Sequence, residues 1–453
     1  MPTRRSILWF RRDLRTADHP ALEFAGRDGR EVVPVFVIDP SLVKPSGAAR
    51  LAFMYRSLRA LDESLGGKLI IRYGTPATEI LKLAQETTSS EVVVTRDYAP
   101  YGRQRDGEVG NRLAKFDIAF VGKGTPYAVA PGTVVKDNDT PYAVFTPFSR
   151  AWRAVGWSEP IGTGNVAIHR VRGVASNEIP DDPAIDCDLP EAGEAAAHER
   201  WGAFLGDDLD HYDSRRNSPG KPGTSRISPY LRWGQMHPRQ LLADLGDTRG
   251  HDTFRNELAW RDFYADVLFH HPDSARHNLQ RKMDPMVLDT DPAAFERFDA
   301  WKSGTTGFPI VDAGMRQLLA TGWMHNRVRM IVASFLVKDL HLPWQWGARH
   351  FMHHLVDGDL ASNQHGWQWT AGTGTDAAPY FRVFNPASQS ERFDPHGDYI
   401  RRWVPELEGV SAKDIHAPAA STSGLPLGAA PPMVDHAAER VEALRRYQAA
   451  MGR

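Results

Sequence analysis

Five short apolar runs, separated by segments with helical spacing, occupy the first 125 residues and constrain the fold more than any other feature. The runs lie at 7–10, 32–38, 68–73, 91–95 and 118–121. Between the second and third runs, Leu51, Tyr55, Leu58 and Leu65 recur at helical spacing, and Pro76 suits the first turn of another helix. Strands that alternate with helices at this rhythm predict a doubly wound α/β domain with a parallel sheet.

The remainder of the chain changes character twice. Residues 126–193 are rich in Pro, Gly, Thr and Asp and show little periodicity, which is typical of a connector. From residue 194 onward the patterns are helical, including a segment at 252–271 that follows an aspartate cap. We therefore expect an α/β domain at 1–125, a linker at 126–193 and an all-α domain at 194–453.

Composition excludes several classes of protein. The net charge is −2 and Cys187 is the single cysteine, which excludes intrachain disulfides and thiolate zinc clusters and fits a reducing cytoplasm. No apolar run reaches the ~18 residues of a membrane span, and the run after the N-terminal arginines is too short for a secretory signal. The predicted sheet has neither a G-x-G-x-x-G nor a G-x-x-x-x-G-K-[ST] motif, so it predicts no obvious dinucleotide or P-loop site.

Histidines and paired aspartates do not predict a metal site. His350, His353 and His354 have i, i+3, i+4 spacing, but H-E-x-x-H is absent and cysteine cannot contribute. Surface or core histidines are therefore the better interpretation. Asp357 and Asp359 resemble the start of a calcium loop that lacks glutamate at its twelfth position. A helix N-terminus or a polar ligand contact explains these two residues better.

Aromatic and basic residues are concentrated in the second half. The chain has 13 tryptophans, and residues 301–350 contain six basic side chains against two acidic ones. On one predicted helix, Glu257, Trp260, Arg261 and Tyr264 share a face, for which an exposed ion-paired surface is the alternative. Aromatic planes beside guanidinium groups favour a surface that stacks bases and neutralises phosphates, whereas a well-packed helical core remains the simpler explanation.

Two further segments extend this pattern. The run at 321–330 places one amide and two guanidinium groups beside an indole, and the run at 363–369 adds two tryptophans. The Gly/Ser/Thr turn at 223–230 offers N–H groups and hydroxyls to a phosphate, although any capped helix has this appearance. The helical half therefore suits a large planar ligand together with an unstacked nucleobase.

Six motifs, in order along almost the whole chain, resemble the DNA photolyase/cryptochrome family. They are WFRRDLR, PGTSRISPYLRWG, NELAWRDFY, TGFPIVDAGMRQLLATGWMHNRVRM, VDGDLASNQHGWQW and GTDAAPYFRVFNP. Within the family the chain is most similar to bacterial class I cyclobutane pyrimidine dimer photolyases. The resemblance implies an N-terminal antenna domain, a long linker and a helical domain that binds FAD non-covalently. It also implies a lyase that splits pyrimidine dimers in DNA by light-driven electron transfer from reduced FAD.

The resemblance also implies which residues hold the flavin. They are Tyr212, Thr224, Ser225, Arg226, Ile227, Ser228, Phe254, Glu257, Arg261, Trp323, Arg329, Asp357, Gly358, Asp359 and Asn363. Asn363 matches the position that faces flavin N5, where photolyases carry Asn and plant-type cryptochromes carry Asp. Because an amide cannot donate a proton as an acid can, this position suits a reduced anionic flavin.

The same resemblance implies a pocket for a flipped dimer, whose poor stacking lowers the cost of flipping. Four residues would take part in the reaction. Trp260 and Trp369 would form the walls of the pocket, Glu257 would stabilise the dimer radical anion, and Asn363 would face the flavin. The implied DNA contacts are Arg216, Glu257, Trp260, Arg261, Tyr264, Asn326, Arg327 and Trp369. Asn326 favours cyclobutane dimers, since (6-4) photolyases are similar but place a second histidine in that motif.

Two auxiliary functions follow from the family pattern. Trp367 and Trp344 match the inner two tryptophans of the photoreduction chain, whereas the outermost position falls near Leu288, so that Trp301 and Trp346 are possible substitutes. Folate-binding relatives carry an Asn-Glu pair where this chain has Tyr101 followed by glycine. We therefore expect the antenna chromophore to be a deazaflavin (8-HDF) or FMN. Its candidate ligands are Arg12, Asp39, Arg50 and Tyr101.

The resemblance implies a monomeric, cytoplasmic member of the family that repairs pyrimidine dimers in DNA. One alternative is a cryptochrome-type blue-light receptor that binds FAD without repairing DNA, against which Asn363 argues. Another is a flavoenzyme that uses a nicotinamide, which the missing dinucleotide motif disfavours.

Overall fold

A five-stranded parallel sheet forms the core of the N-terminal part. The structure is a computed structural model, and it describes residues 4–162, 164, 166–375, 382–421 and 424–452; part of the GTDAAPYFRVFNP motif lies outside these residues. The strands are β1 (Arg5–Phe10), β2 (Glu31–Ile38), β3 (Ile70–Tyr73), β4 (Glu91–Val94) and β5 (Ala119–Gly122). Their order is β3-β2-β1-β4-β5, with every neighbouring pair parallel. The expected doubly wound α/β sheet is confirmed.

Five helices alternate with these strands. They are α1 (Pro20–Ala25), α2 (Pro40–Val43), α3 (Ala48–Ser64), α4 (Pro76–Glu86) and α5 (Pro100–Ala114). Four of the five begin with proline, because the first turn of a helix needs no N–H at that position and favours the fixed φ of proline. Ile7, Val33, Val35, Ile70 and Val92 are almost fully buried on the sheet, as expected of strands covered on both faces.

The regular structure after the sheet is helical, as expected from residue 194 onward. The helices are α6 (Phe145–Val155), α7 (Glu194–Asp207), α8 (Tyr212–Arg215), α9 (Ser228–Trp233), α10 (Pro238–Ala243), α11 (Arg249–His270), α12 (Pro292–Ser303), α13 (Pro309–Thr321), α14 (Asn326–Ser334), α15 (Trp344–His354), α16 (Leu360–Ala371), α17 (Pro386–Phe393), α18 (Asp398–Trp403) and α19 (His436–Ala450). Short 3-10 segments lie at Arg27–Gly29, Leu209–His211, Pro272–Ala275, Arg281–Met283, Pro405–Leu407 and Pro418–Ala420, and α14 continues into a π-helical segment at Phe335–Asp339.

Packing divides the chain into two compact units. The first, here called the sheet unit, comprises Met1–Ile185, Pro190–Asp207 and Ser225–Pro272. The second, here called the helical unit, comprises Asp186–Leu189, Asp208–Thr224 and Asp273–Arg453. Among the described residues, no helix is both long enough and apolar enough to cross a membrane.

The grouping by packing differs from the three segments expected from the sequence, whose boundaries stay a prediction. Helices α7 and α9 to α11 pack with the sheet, and buried contacts explain why. The Arg239 guanidinium pairs with Asp18 at 2.6 Å. An added Cβ at Gly234, whose φ is +66°, would lie only 1.9 Å from the Arg12 carbonyl oxygen. The chain therefore needs glycine where α9 ends against the loop after β1.

The expected connector contains one regular element that the sequence analysis did not anticipate. Helix α6 lies within the sheet unit, and its Trp152 indole N–H donates to Asp262 of α11 at 3.0 Å. The segment's Pro and Gly content concealed this helix, because the partners that stabilise it lie more than 90 residues away along the chain.

Candidate active site

Helix α11 presents the predicted lesion-binding residues on the sheet unit. Trp260 is half-buried, and its indole stacks face to face on Phe145, with ring centroids 3.7 Å apart and an interplanar angle of 8°. The Tyr264 ring lies 5.3 Å from the same indole, and Glu257 is also half-buried on this helix. The sequence analysis did not identify Phe145 as a site residue, because it lies in the expected connector.

Arg261, predicted to line the flavin and contact DNA, has structural partners inside the sheet unit. Its guanidinium donates to the carbonyls of Pro126 at 2.9 Å and Leu231 at 3.3 Å. It also lies 4.6 Å from the centroid of the Tyr127 ring. These contacts join α11 to the start of the expected connector and to α9, a role that the local sequence pattern does not reveal.

Two buried aspartates on α11 hold the connector and were not anticipated. Asp262 accepts from the backbone N–H of Val129 at 3.0 Å in addition to the Trp152 indole. Asp266 accepts from the N–H of Gly132 at 2.7 Å. Burial raises the pKa of Asp262 to about 6, against the opposing attraction of Arg261. The connector is thus fixed to the helix that carries Trp260.

The predicted phosphate-binding turn is divided between the two units. Ser225, Arg226, Ile227 and Ser228 belong to the sheet unit, and the Ser225 carbonyl accepts from Arg200 at 2.7 Å. Arg226 has a φ of +51°, an uncommon left-handed conformation for a residue other than glycine.

Of the other predicted flavin residues, Tyr212 belongs to the helical unit and Phe254 to the sheet unit. In the helical unit, Tyr212 is almost buried and the Arg216 guanidinium lies 5.4 Å from its ring centroid; Thr224 belongs to the same unit. In the sheet unit, Phe254 is buried and packs against the rings of Trp201 and Phe204, at 5.2 and 5.6 Å. Phe254 therefore belongs to an aromatic core cluster there.

An ion pair and a helix cap organise the aspartates of the helical unit. Arg329 donates to the buried Asp357 at 2.7 Å and to the Met324 carbonyl at 2.8 Å. Asp359 is the N-cap of α16, accepting from the N–H of Ser362 at 3.1 Å. The predicted helix N-terminus at this acidic motif is confirmed. Gly358, which joins the two aspartates, is buried.

The amide of Asn363, in the first turn of α16, is oriented by its partners. Its Nδ2 donates to the Ala348 carbonyl at 3.0 Å and to Oε1 of Gln364 at 2.8 Å. Because a backbone carbonyl can only accept, the Asn363 NH2 group must point toward Ala348. The side-chain oxygen is then the atom that Asn363 offers to a ligand, as an acceptor.

The other predicted DNA-contacting residues of this unit are at least partly exposed. Asn326 is exposed at the first position of α14, and Trp369 is half-buried, as is Trp323, which was predicted to line the flavin. Arg327 donates twice to Asn217 Oδ1, at 2.7 and 3.2 Å. This amide partner was missed, since Asn217 lies 110 residues away along the chain.

The two predicted electron-transfer tryptophans are both buried in the helical unit. The Trp344 indole N–H donates to Asn278 Oδ1 at 2.9 Å. Trp367 is 3% exposed, and its ring meets Phe351 nearly edge to face, with centroids 5.0 Å apart.

Rings at Trp301 and Trp346 extend this aromatic series to the surface. Trp301 lies 6.1 Å from Trp367 and 5.8 Å from Phe298. Phe298 lies 5.3 Å from Trp346, which stacks at 4.6 Å on Phe295. Because Phe295 is 53% exposed, neighbouring rings connect the buried Trp367 with solvent. Both substitutes considered from the sequence lie on this series.

The predicted antenna ligands at the carboxyl edge of the sheet do not all contact one another. The Tyr101 hydroxyl donates to Asp39, which follows β2, and burial together with this carboxylate raises the pKa of Tyr101 to about 12. Arg50 is buried with its guanidinium 5.4 Å from the Trp233 ring, and Arg12 is half-buried after β1. The structure thus brings Asp39 and Tyr101 into contact, whereas Arg50 faces a tryptophan.

A buried charge network at the same edge was not predicted. Arg105 pairs with Asp106 at 2.8 Å and Asp97 at 3.2 Å, and Arg11 also pairs with Asp106. Burial alone would raise the pKa of Asp97, but the cations Arg105, Arg12 and Arg11 outweigh burial and lower it. The alternating charges of RDYAPYGRQRD were the available signal for this network.

The histidines of α15 lie close together. The His350 and His354 rings are 4.5 Å apart. Burial and the neighbouring His354 lower the pKa of His350 to about 3, so it is neutral at physiological pH. Within the described part of the chain, no cluster of three His, Cys, Asp or Glu side chains is arranged to hold a metal ion.

Two family models match this chain. The model described as DNA photolyase matches residues 6–164, and the model described as the FAD binding domain of DNA photolyase matches residues 254–449. A deoxyribodipyrimidine photo-lyase from Vibrio cholerae is 37% identical over 472 residues, which cover 98% of this chain and 100% of that relative.

Solved structures show the same likeness. A bacterial class III photolyase from Agrobacterium tumefaciens has a TM-score of 0.92 at 36% identity, covering 100% of this chain and 99% of that one. A cryptochrome from Synechocystis sp. PCC6803 has a TM-score of 0.89 at 27% identity, covering 98% and 100%. The expected class I assignment is finer than these matches support, since the Agrobacterium enzyme belongs to class III.

Proposed function

The chain belongs to the DNA photolyase family, and from this premise we propose how its own residues serve the repair reaction. The enzyme is a deoxyribodipyrimidine photolyase, which splits cyclobutane pyrimidine dimers in DNA by light-driven electron transfer from reduced FAD. When bound and reduced, FAD supplies the electron that light transfers to the dimer and that returns after the ring opens.

The donor set of the helical unit fits a reduced flavin. The Asn363 oxygen is available as an acceptor because both amide hydrogens are directed to Ala348 and Gln364, and reduced flavin carries a hydrogen on N5. Arg329 pairs with the buried Asp357, so this carboxylate is not left as an uncompensated charge in the helical unit. We assign Trp323, Gly358 and Asp359 to the same site.

The remaining flavin contacts come from the turn at 224–228 and from α11. Backbone N–H groups and hydroxyls of Thr224, Ser225, Arg226, Ile227 and Ser228 bind the phosphates and ribityl chain, together with Tyr212. Phe254, Glu257 and Arg261 complete the proposed site, with Phe254 and Arg261 acting through the core packing and the connector contacts described above.

The amide of Asn363 is the feature that most favours a repair enzyme over a light receptor. An aspartate at this position could exchange a proton with N5, whereas an amide with both hydrogens engaged cannot. The side chain therefore holds the flavin without changing its protonation. The alternative, a light receptor without repair activity, predicts no such requirement for an amide.

The dimer has Trp260 and Trp369 as its apolar contacts, as the family resemblance implies. Its pyrimidine edges bond to Glu257 and Asn326, and Glu257 stabilises the negative charge that develops on the dimer. Tyr264 and Arg261 support this side of the pocket, while Arg216 and Arg327 neutralise backbone phosphates. A half-buried indole suits this role because it offers an apolar surface and keeps an exposed part.

Trp367 would pass the electron that reduces oxidised flavin in the light. From there we propose two routes, one through Trp344 and one through Trp301 toward Trp346, whose rings are linked by Phe298. The second route reaches solvent and compensates for the missing outermost tryptophan near Leu288.

The antenna chromophore binds at the carboxyl edge of the sheet, where strand order reverses beside β1. We propose a deazaflavin (8-HDF) or FMN there, held by Arg12, Asp39, Arg50 and Tyr101. We further propose that the enzyme is a monomer and acts in the cytoplasm.

The proposed function is tested with an oligonucleotide that carries a single thymine dimer. Protein reduced with dithionite is mixed with it and either illuminated or kept dark, and restored thymines are counted by chromatography. Light-dependent restoration is expected in the wild type, and Asn363→Asp is expected to slow it. Flavin binding without repair in the light would favour the light-receptor alternative.

A further inference from the structure

The face of Trp260 is covered by a residue outside the proposed dimer pocket. Phe145, the first residue of α6, lies parallel to the indole with ring centroids 3.7 Å apart. Both rings are only half-buried, and the neighbouring Val144 is 46% exposed. A parallel aromatic pair at this separation fixes the plane of each ring, since rotation of either ring would break the stack.

Phe145 is itself held by contacts between α6 and α11. Arg153 donates to Asp252 at 2.7 Å and to Asn256 at 2.9 Å. The Phe148 ring lies 5.0 Å from Phe263, one turn of α11 away from Trp260.

A buried hydrogen bond completes this attachment, because the Trp152 indole donates to Asp262. These contacts fix the backbone of α6 against α11, so α6 cannot carry Phe145 away from Trp260 without breaking a buried hydrogen bond.

We propose that Phe145 is a positioning residue for dimer recognition: it holds the Trp260 indole in the orientation that meets a flipped dimer. The proposal rests on the proposed role of Trp260 in the pocket. Undamaged DNA, which stays stacked, does not require the indole, so Phe145 contributes to discrimination between damaged and sound DNA and leaves general DNA affinity unchanged.

Binding measurements in the dark, with FAD-loaded and dithionite-reduced protein, test this proposal. Dissociation constants are measured for one oligonucleotide with and without a thymine dimer. We expect Phe145→Ala to weaken binding of the dimer DNA by about two- to twelvefold, the range of a lost aromatic pair. Binding of the undamaged DNA stays unchanged. Phe145→Tyr retains the stack and behaves as wild type, as does Val144→Ala, a matched control on the adjacent exposed residue.

A double-mutant cycle separates positioning from general packing. In a Trp260→Ala background, Phe145→Ala is expected to cause no further loss of dimer affinity, because its effect passes through the indole. Flavin content and melting temperature are compared for all variants, and Phe145→Leu, which keeps apolar bulk without a ring, replaces Phe145→Ala if that variant fails to hold FAD.

Three results would overturn the proposal while leaving the repair function standing. They are an equal loss for both DNAs, a loss that persists without Trp260, and tighter dimer binding by Phe145→Ala, which would mean that Phe145 occupies the place of the dimer. A wild-type protein with no preference for dimer DNA would instead overturn the pocket itself and the proposal with it.

Discussion

Gly347 on α15 is the position where one added methyl group probes the packing of Trp367. A Cβ there would lie 2.1 Å from Cη2 and 2.6 Å from Cζ2 of the indole, whereas nonbonded carbons settle at about 3.5–4.0 Å. The ring would have to move by roughly 1.5 Å to restore that separation. It has little room to do so, because it is 3% exposed and packed against Phe351 and Trp301.

The matched control for Gly347→Ala is Gly366→Ala on α16. Overpacking costs about 1–3 kcal/mol, and replacing a helical glycine by alanine returns about 0.5–1 kcal/mol. At Gly366 an added Cβ meets no atom within 4 Å, so only the gain applies. The free energies of unfolding of the two variants should therefore differ by about 1–3 kcal/mol, with Gly347→Ala the less stable.

Urea titration of the FAD-loaded variants, followed by tryptophan and flavin fluorescence, measures this difference. Light-driven reduction of oxidised flavin should also be slower in Gly347→Ala than in Gly366→Ala, because the displaced indole lies on the proposed electron route. Equal unfolding midpoints would refute the packing argument. A stability difference with equal photoreduction rates would refute the electron-transfer role of Trp367 and leave the packing argument intact.

Three further predictions follow from individual side chains. Burial raises the pKa of Asp262 to about 6, so the native state keeps a proton that the unfolded chain loses near pH 4. The free energy of unfolding then falls by about 3 kcal/mol in all as pH rises from about 4 to 6. Asp262→Asn should remove this pH dependence. A difference in unfolding free energy between wild type and variant that does not change with pH would contradict the prediction. Trp369→Ala should reduce the preference for dimer DNA in a binding assay while flavin stays bound; equal weakening for sound DNA would exclude a role in the pocket. Trp301→Phe should slow photoreduction and leave repair by chemically reduced enzyme unchanged, which flash photolysis and the repair assay distinguish; an unchanged photoreduction rate would remove the route through Trp301.

Local pattern was sufficient for the sheet. The apolar runs predicted all five strands to within about two residues at each end, since strands of a parallel sheet are mostly apolar and turn residues set their limits. The long helix of α11 was predicted too, although it begins three residues before the expected cap: Thr248, whose side chain accepts from the N–H of His251, caps it. Cap geometry depends on which of two nearby polar residues the tertiary structure selects.

Long-range pairing was not visible in the sequence. Phe145, Asp262 and Asn217 acquire their roles from partners more than 100 residues away, and no periodicity encodes such contacts. The π-helical segment at Phe335–Asp339 escaped for a related reason: its apolar residues look like a continuous helix, and only packing decides where one extra residue is inserted. Arg261 was placed by resemblance, and its contacts with Pro126 and Leu231 add a structural role.

In the assigned reaction, light drives repair with no net oxidation or reduction of the enzyme or the DNA. The most direct measurement counts thymine dimers restored per bound flavin after a single reduction, with excess reductant removed and oxygen excluded. Many dimers should be split per flavin under continued illumination and none in the dark, and the flavin should still be reduced at the end. At most one dimer per flavin, with the flavin left oxidised, would contradict return of the electron and with it the assigned reaction.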